Sequence, residues 1–161
     1  HERILYEQLR SRIQAGRLES QKLLLPQTFE LTDAAAAALK ANASLIEKLG
    51  VELTDFGPKT AAIQSFPPLL AKAEPVDFVK DLMDLLIDKN ITSDPENLLD
   101  EVLSMAACKA AVKAGQSLTD GEIERLLADR QTLEQPSRCP HGRPTTIRFS
   151  IAELQKQFKR T

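Results

Sequence analysis

The chain has 161 residues, close to the roughly 150 expected of one domain, and its 42% hydrophobic and 27% charged content excludes disordered, collagenous and fibrous classes. With 21 Lys and Arg against 23 Asp and Glu, the net charge of −2 excludes the basic field of an autonomous nucleic-acid binder, so any DNA it acts on must be held by something else. No run approaches the ~20 apolar residues that cross a membrane, and His1 to Arg12 is charged and amphipathic, which makes a cytoplasmic protein without membrane partners the expectation.

Ile4, Leu5, Leu9 and Ile13 recur among charges close to a helical stripe, predicting a helix over Glu2 to Ala15 with Gly16 as its stop. Leu23-Leu24-Leu25-Pro26 and Thr28 to Leu31 read as two short extended segments, the leucines as strand core and Pro26 at an edge or bend. Thr32 and Asp33 cap an alanine-rich helix from Ala34 to about Leu49, closed by Gly50, whose low bulk suits a lightly packed surface layer. Val51 to Leu53 and Thr60 to Phe66 predict a hairpin around Gly57-Pro58, and Pro67-Pro68 ends it.

From Pro75 to Lys89 the positions Val79, Leu82, Met83 and Leu86 again have helical spacing. Asp94-Pro95 starts another helix bearing Leu98, Leu99, Val102, Met105 and Ala106, with Gly115 as its close. Thr119 with Glu122 and Ser150 with Glu153 have the capping-box spacing, predicting helices over Asp120 to Ala128 and Ile151 to Lys159. Between these lies a loop from Pro136 to Pro144, rich in proline, leading into Thr145 to Phe149 as a strand.

That loop carries the chemistry. Cys139-Pro140-His141 puts a thiol and an imidazole two residues apart, a donor pair that one zinc ion accepts, although a solvent-facing loop with an incidental cysteine has the same pattern. Arg143 sets a guanidinium beside the pair, where it can fork a phosphate. Cys108, beside Met105 and Ala106, reads as a small buried apolar residue. Glu2 and Glu7 are about 140° apart around a helix, so spacing alone does not pair them. Gly-rich phosphate loops, G-x-S-x-G, H-E-x-x-H and EF-hand spacings are lacking, which argues against nucleotide binding, serine hydrolase, zincin and calcium-sensor chemistry in this chain. A zinc hydrolase acting on a small molecule stays open on these residues alone.

Taken in order, Glu2 to Glu7, Ala107-Cys108-Lys109, Cys139-Pro140-His141-Gly142-Arg143-Pro144 and Phe158-Lys159-Arg160 resemble the C-terminal, dimerisation and endonuclease domain of bacterial MutL DNA mismatch repair proteins. The resemblance covers essentially the whole chain, and the six-residue loop string is its specific element. In the family an Asp-Gln-His-Ala segment precedes two spaced glutamates; Glu2 and Glu7 match those, so the sequence is expected to begin inside that motif, with His1 in its variable gap. Lys109 departs from the commoner arginine but keeps its charge.

The resemblance implies an α+β, two-lobed fold, with a dimerisation and metal-site lobe over 1–28 and 91–161 and an external lobe over 29–90. It implies Glu2, Cys139, His141 and Cys108 at a metal, and a catalytic set of Glu2, Glu7, Cys108, Lys109 and Arg143 for nicking a DNA strand. Zinc would suit the Cys and His donors, and manganese or magnesium would support nicking. Gln21, Leu23, Leu24 and Pro26 resemble the segment that engages the DNA polymerase sliding clamp, and Phe158 and Arg160 belong to the C-terminal motif. The implied partners are a second copy, DNA, the clamp and MutS, in a nucleoid-associated cytoplasmic setting. The alternative from another class is a zinc-stabilised dimerisation and docking module without catalysis.

Overall fold

The computed structural model describes residues 1–89, 94–133 and 136–159. Its elements are α1 (Glu2–Gln14), β1 (Gln21–Glu30), α2 (Asp33–Ala41), α3 (Ala43–Lys48), β2 (Glu52–Gly57), β3 (Thr60–Phe66), a 3₁₀ turn at Pro68–Leu70, α4 (Pro75–Lys89), α5 (Pro95–Ala110), α6 (Asp120–Gln131) and α7 (Ile151–Gln157). The expected α+β class is what forms: one antiparallel three-stranded sheet in the order β1-β3-β2, with the helices packed around it and beyond it. The expected lobe boundary at 28/29 falls within β1, and the one at 90/91 lies outside the described residues.

β3 is the central strand, and Ala61, Ala62, Ile63, Ser65 and Phe66 are all buried, so both of its faces are covered. Its one buried polar side chain is satisfied, because the Ser65 hydroxyl donates to a Glu52 carboxylate oxygen on β2 at 2.6 Å. The predicted hairpin forms, with Pro58 and Lys59 at its turn.

β1 departs from expectation. It is one ten-residue edge strand rather than two segments: it pairs with β3 at Gln21 and Lys22, loses register, and pairs again from Gln27. Pro26 has no N–H to give the ladder, and the irregular stretch surrounds it. The leucines are therefore not core. Leu24 and Leu25 are 102% and 80% exposed, Leu23 is half-buried, and Phe29 is the residue of this strand that is buried.

The alanine-rich helix is two helices, broken at Asn42, whose side-chain amide donates to the Ala38 carbonyl at 2.9 Å and competes with the helical ladder. Thr32 caps α2 as predicted, its hydroxyl accepting from the Ala35 N–H. Only Ala35 and Ala38 of α2 are buried, in keeping with a thin surface layer. Gly50 takes the left-handed conformation at φ +70°, against the backbone of Leu18.

The core joins α4, α5, α1 and β3. Phe78, Val79, Leu82, Met83 and Leu86 of α4 are buried, and Phe78 meets Phe66 edge-on with ring centroids 5.4 Å apart. Val102, Leu103, Ala106, Ala107 and Ala110 form the buried stripe of α5, whose small residues let α1 lie against it with Leu5, Leu9 and Ile13 buried.

At the far end the helices differ in their limits. α5 stops at Ala110, before Gly115, because Ala111 is already extended. α6 runs on to Gln131, and α7 ends at Gln157. Both predicted capping boxes are present. Thr145 to Phe149 is not a strand: among the described residues no neighbouring strand pairs with it, and Ile147 and Phe149 are exposed. An alternating pattern without an edge to join has no ladder to complete.

Candidate metal centre

Cys139 heads a closed loop. Its N–H donates to the Arg143 carbonyl at 2.8 Å, its carbonyl accepts from the Gly142 N–H at 2.9 Å, and Arg138 bridges to Pro144. Pro140 and Gly142 occupy the second and fourth places of that turn, which suit them, and Gly142 adopts φ +79°. Thr145 closes the base, donating its N–H to the Ser137 carbonyl and its hydroxyl to the Pro136 carbonyl, each at 2.8 Å. The loop buries Cys139 and leaves His141 exposed.

Glu2 arrives from the other end of the chain. It is the first residue of α1, where the helix dipole favours a carboxylate. Two contacts fix this end of α1: His1 Nδ1 accepts from the Val112 N–H at 3.0 Å, and the Tyr6 hydroxyl donates to Asp100 at 2.9 Å. One donor atom each from Glu2, Cys139 and His141 then lie within 4.8 Å of one another. A thiol, an imidazole and a carboxylate at that separation fit a divalent cation of zinc's character, and three protein donors leave one tetrahedral position for water or substrate.

Cys108 lies against this group rather than in the core. It is half-buried and hydrogen-bonds Glu2; burial first, and then the Glu2 charge, push its thiol above the usual range, opposed by Lys113 and Lys109. The expectation of a merely buried apolar cysteine is thereby corrected. The other sequence candidates are not among those three donors. Glu7 pairs with Arg3 at 2.8 Å, one turn back on α1, and Lys109 pairs with Asp81 of α4. Arg143 is exposed, and its carbonyl closes the loop. Gln21 to Pro26 lie on the edge strand, and Gln21 to Leu25 line a groove with Phe66, Pro67 and Pro68. Phe158 is exposed at the end of α7, and Arg160 lies outside the described residues.

A feature missed from sequence adjoins His141. A cleft of about 680 Å³ runs from Pro140 and His141 along the first half of α5, lined by Tyr6, Asn97, Asp100 and Ser104. The signal for it was the polar run Asp94, Asn97, Glu101 and Ser104, which keeps helical spacing opposite the apolar stripe.

Fold and site together define an α+β domain in which the two ends of the chain meet at a prospective metal centre. Residues 1–118 match the family described as the MutL C terminal dimerisation domain, and the chain belongs to that family. It is 34% identical over 160 residues to the DNA mismatch repair protein MutL of Geobacter sulfurreducens, covering 99% of this chain and 26% of that protein. It is 36% identical, over the same share of this chain, to the MutL proteins of Xanthomonas oryzae pv. oryzae and Azotobacter vinelandii, covering 26% and 25% of each. The chain thus spans about a quarter of the length of the curated relatives it matches. No helix among the described residues is long and apolar enough to cross a membrane.

Proposed function

We propose that this chain is the metal-dependent endonuclease part of a mismatch repair protein, nicking one DNA strand as a homodimer. The observation that carries the reading is the convergence of Glu2, Cys139 and His141 donor atoms within 4.8 Å from opposite ends of the sequence. A purely dimerising fold has no need to bring that donor set together.

When bound, a divalent ion supplies an activated water and neutralises charge on the phosphate oxygens. The chain's own residues do the rest. Cys139 and His141 favour zinc, and Glu2 adds the oxygen donor that manganese or magnesium also accepts. Cys108 holds Glu2 through its hydrogen bond and so positions that carboxylate. Arg143, exposed on the same loop, offers a fork for a phosphate oxygen pair, and Lys109 adds charge behind Cys108. Glu7 supports α1 through its pair with Arg3. A domain of net charge −2 needs delivery to DNA, for which the exposed Gln21, Leu24 and Pro26 on edge strand β1 offer the sliding clamp an accessible segment, with half-buried Leu23 among them. Dimerisation and metal site belong in this reading to the lobe of 1–28 and 91–161, with 29–90 external, and MutS is a further partner of the whole protein. A role in nicking DNA would set it at the nucleoid.

The second reading is a docking module whose zinc only stiffens the fold, and it is favoured by the engagement of Glu7 and Lys109 with Arg3 and Asp81. Metal content by mass spectrometry, on protein purified without added metal, separates the premises. Near-stoichiometric zinc in the native chain, lost in His141→Ala and Cys139→Ser, is expected; zinc unchanged in both variants rejects the site. Nicking of supercoiled DNA with manganese by a longer form, abolished by His141→Ala, then distinguishes catalysis from stiffening.

A further inference from the structure

Arg3 follows the candidate ligand Glu2 on α1, and it is a costly residue to keep there. Its side chain is only 19% exposed, and its Nε is buried with no hydrogen-bond partner. Taking a guanidinium out of water is unfavourable unless its donors are matched, and an unmatched donor adds to that cost. The ion pair one turn on, to the partly exposed Glu7, returns little stability. A hydrophobic side chain of similar volume serves folding as well or better. What the guanidinium adds is geometry.

That geometry is a hold on the first two turns of α1. Arg3 Nη2 reaches a Glu7 carboxylate oxygen at 2.8 Å, and the guanidinium carbon lies 5.4 Å from the centroid of the Tyr6 ring, within cation–π range. The Tyr6 hydroxyl in turn donates to Asp100 of α5 at 2.9 Å. Arg3 is three residues from Tyr6 and four from Glu7, and Glu2 is four from Tyr6, so these side chains are neighbours on one side of the helix. Two further links tie the hold to the site. α5 also carries Cys108, which hydrogen-bonds Glu2, and Tyr6 and Asp100 line the cleft that begins at His141.

We propose that Arg3 is a positioning residue for the metal site: held by Glu7 and by the Tyr6 ring, it sets the direction in which Glu2 presents its carboxylate to Cys139 and His141. The inference rests on the reading of those three residues as metal donors. It gives Glu7 the task of holding Arg3 rather than of touching the ion. Lysine is a poor replacement, because an ammonium can pair with Glu7 but has no plane to set against the ring.

Two measurements on the 161-residue chain test it. Competition with a chromophoric chelator reads zinc affinity, and the visible absorption bands of cobalt bound in place of zinc read the arrangement of the donors. Arg3→Met keeps the apolar stem and removes the guanidinium. It is expected to bind zinc at least about tenfold more weakly and to alter the cobalt bands at saturation, with a urea midpoint no lower than that of the native chain. Glu7→Gln should weaken zinc binding in the same direction, and adding it to Arg3→Met should cost nothing more, since the two residues act as one unit. Arg3→Lys, which retains the charge, gives the same cobalt readout should Arg3→Met fail to fold.

Zinc affinity and cobalt bands unchanged in these variants overturn the positioning role while the donor reading stands. A lowered urea midpoint with cobalt bands unaltered at saturation makes Arg3 a structural residue and overturns the role as well. A native chain that takes up neither zinc nor cobalt overturns both readings.

Discussion

A carboxylate at the first position of a helix is stabilised by the unpaired N–H groups there, and Glu2 holds that position while its oxygen stands with Cys139 and His141. Of these three, the loop pair was legible because its donors are two residues apart, whereas Glu2 is more than a hundred residues away and no periodicity connects it. Only the resemblance did. The resemblance set Cys108 beside this group, while its local reading as a buried apolar residue went astray for a related reason: its neighbours Met105 and Ala106 describe the helix it sits on, not the helix end that α1 brings against it. Gly50 shows a residue whose local signal sufficed. A Cβ there would lie 2.8 Å from the Leu18 carbonyl oxygen at φ +70°, whereas Gly115, at φ +83°, has open space around it. Gly115→Ala is expected to cost roughly 1 kcal/mol, the strain of the left-handed backbone alone, and Gly50→Ala more than that. Urea midpoints decide, and equal losses would show that the contact with Leu18 does not matter.

Elements defined by strong apolar spacing, α1, α4 and α5, were read from sequence with ends correct to a residue or two except the end of α5, which stops at Ala110 rather than near Gly115, because burial of a stripe dictates both period and partner. Those that depend on a competitor were not. Asn42 diverts the Ala38 carbonyl and splits one helix into two, and Pro26 interrupts an edge ladder so that Leu24 and Leu25 face water. Thr145 to Phe149 has the alternation of a strand without an edge to join. The caps of α6 and α7 were legible to the residue, and they make an acid-side expectation. Backbone and then hydroxyl donors of Thr119 and Ser150 hold Glu122 and Glu153 below the usual 4.5. A carboxyl depressed by folding contributes above its unfolded value, and that contribution is lost as pH falls through the folded one. The Thr119 and Ser150 amide resonances should therefore titrate below the ordinary carboxylate range. Glu122→Gln should remove the first transition and leave the second, and retention of both in the variant would show that the shift at Thr119 has another source.

At the scale of the molecule, the candidate metal site is assembled by packing rather than by a local motif, since α1 brings Glu2 and α5 brings Cys108 only as far as their shared apolar seam holds them in register. Leu9 is fully buried in that core on α1, whereas Phe78 is fully buried on α4 against Phe66 of the sheet. Truncating either leaves a cavity and is expected to lower stability by roughly 2–5 kcal/mol. Their effects on metal should differ. Leu9→Ala loosens the helix that presents Glu2, and zinc affinity should fall by about tenfold or more, the range seen when groups supporting a ligand are lost. Phe78→Ala should leave that affinity within about twofold, because the sheet carries none of the three donors. Competition with a chromophoric chelator, at a temperature where both variants remain folded, reads the difference. Equal affinities for the two would mean that the Cys139 to Arg143 loop holds zinc without α1, and the long-range assembly argued from Glu2 would fail with it.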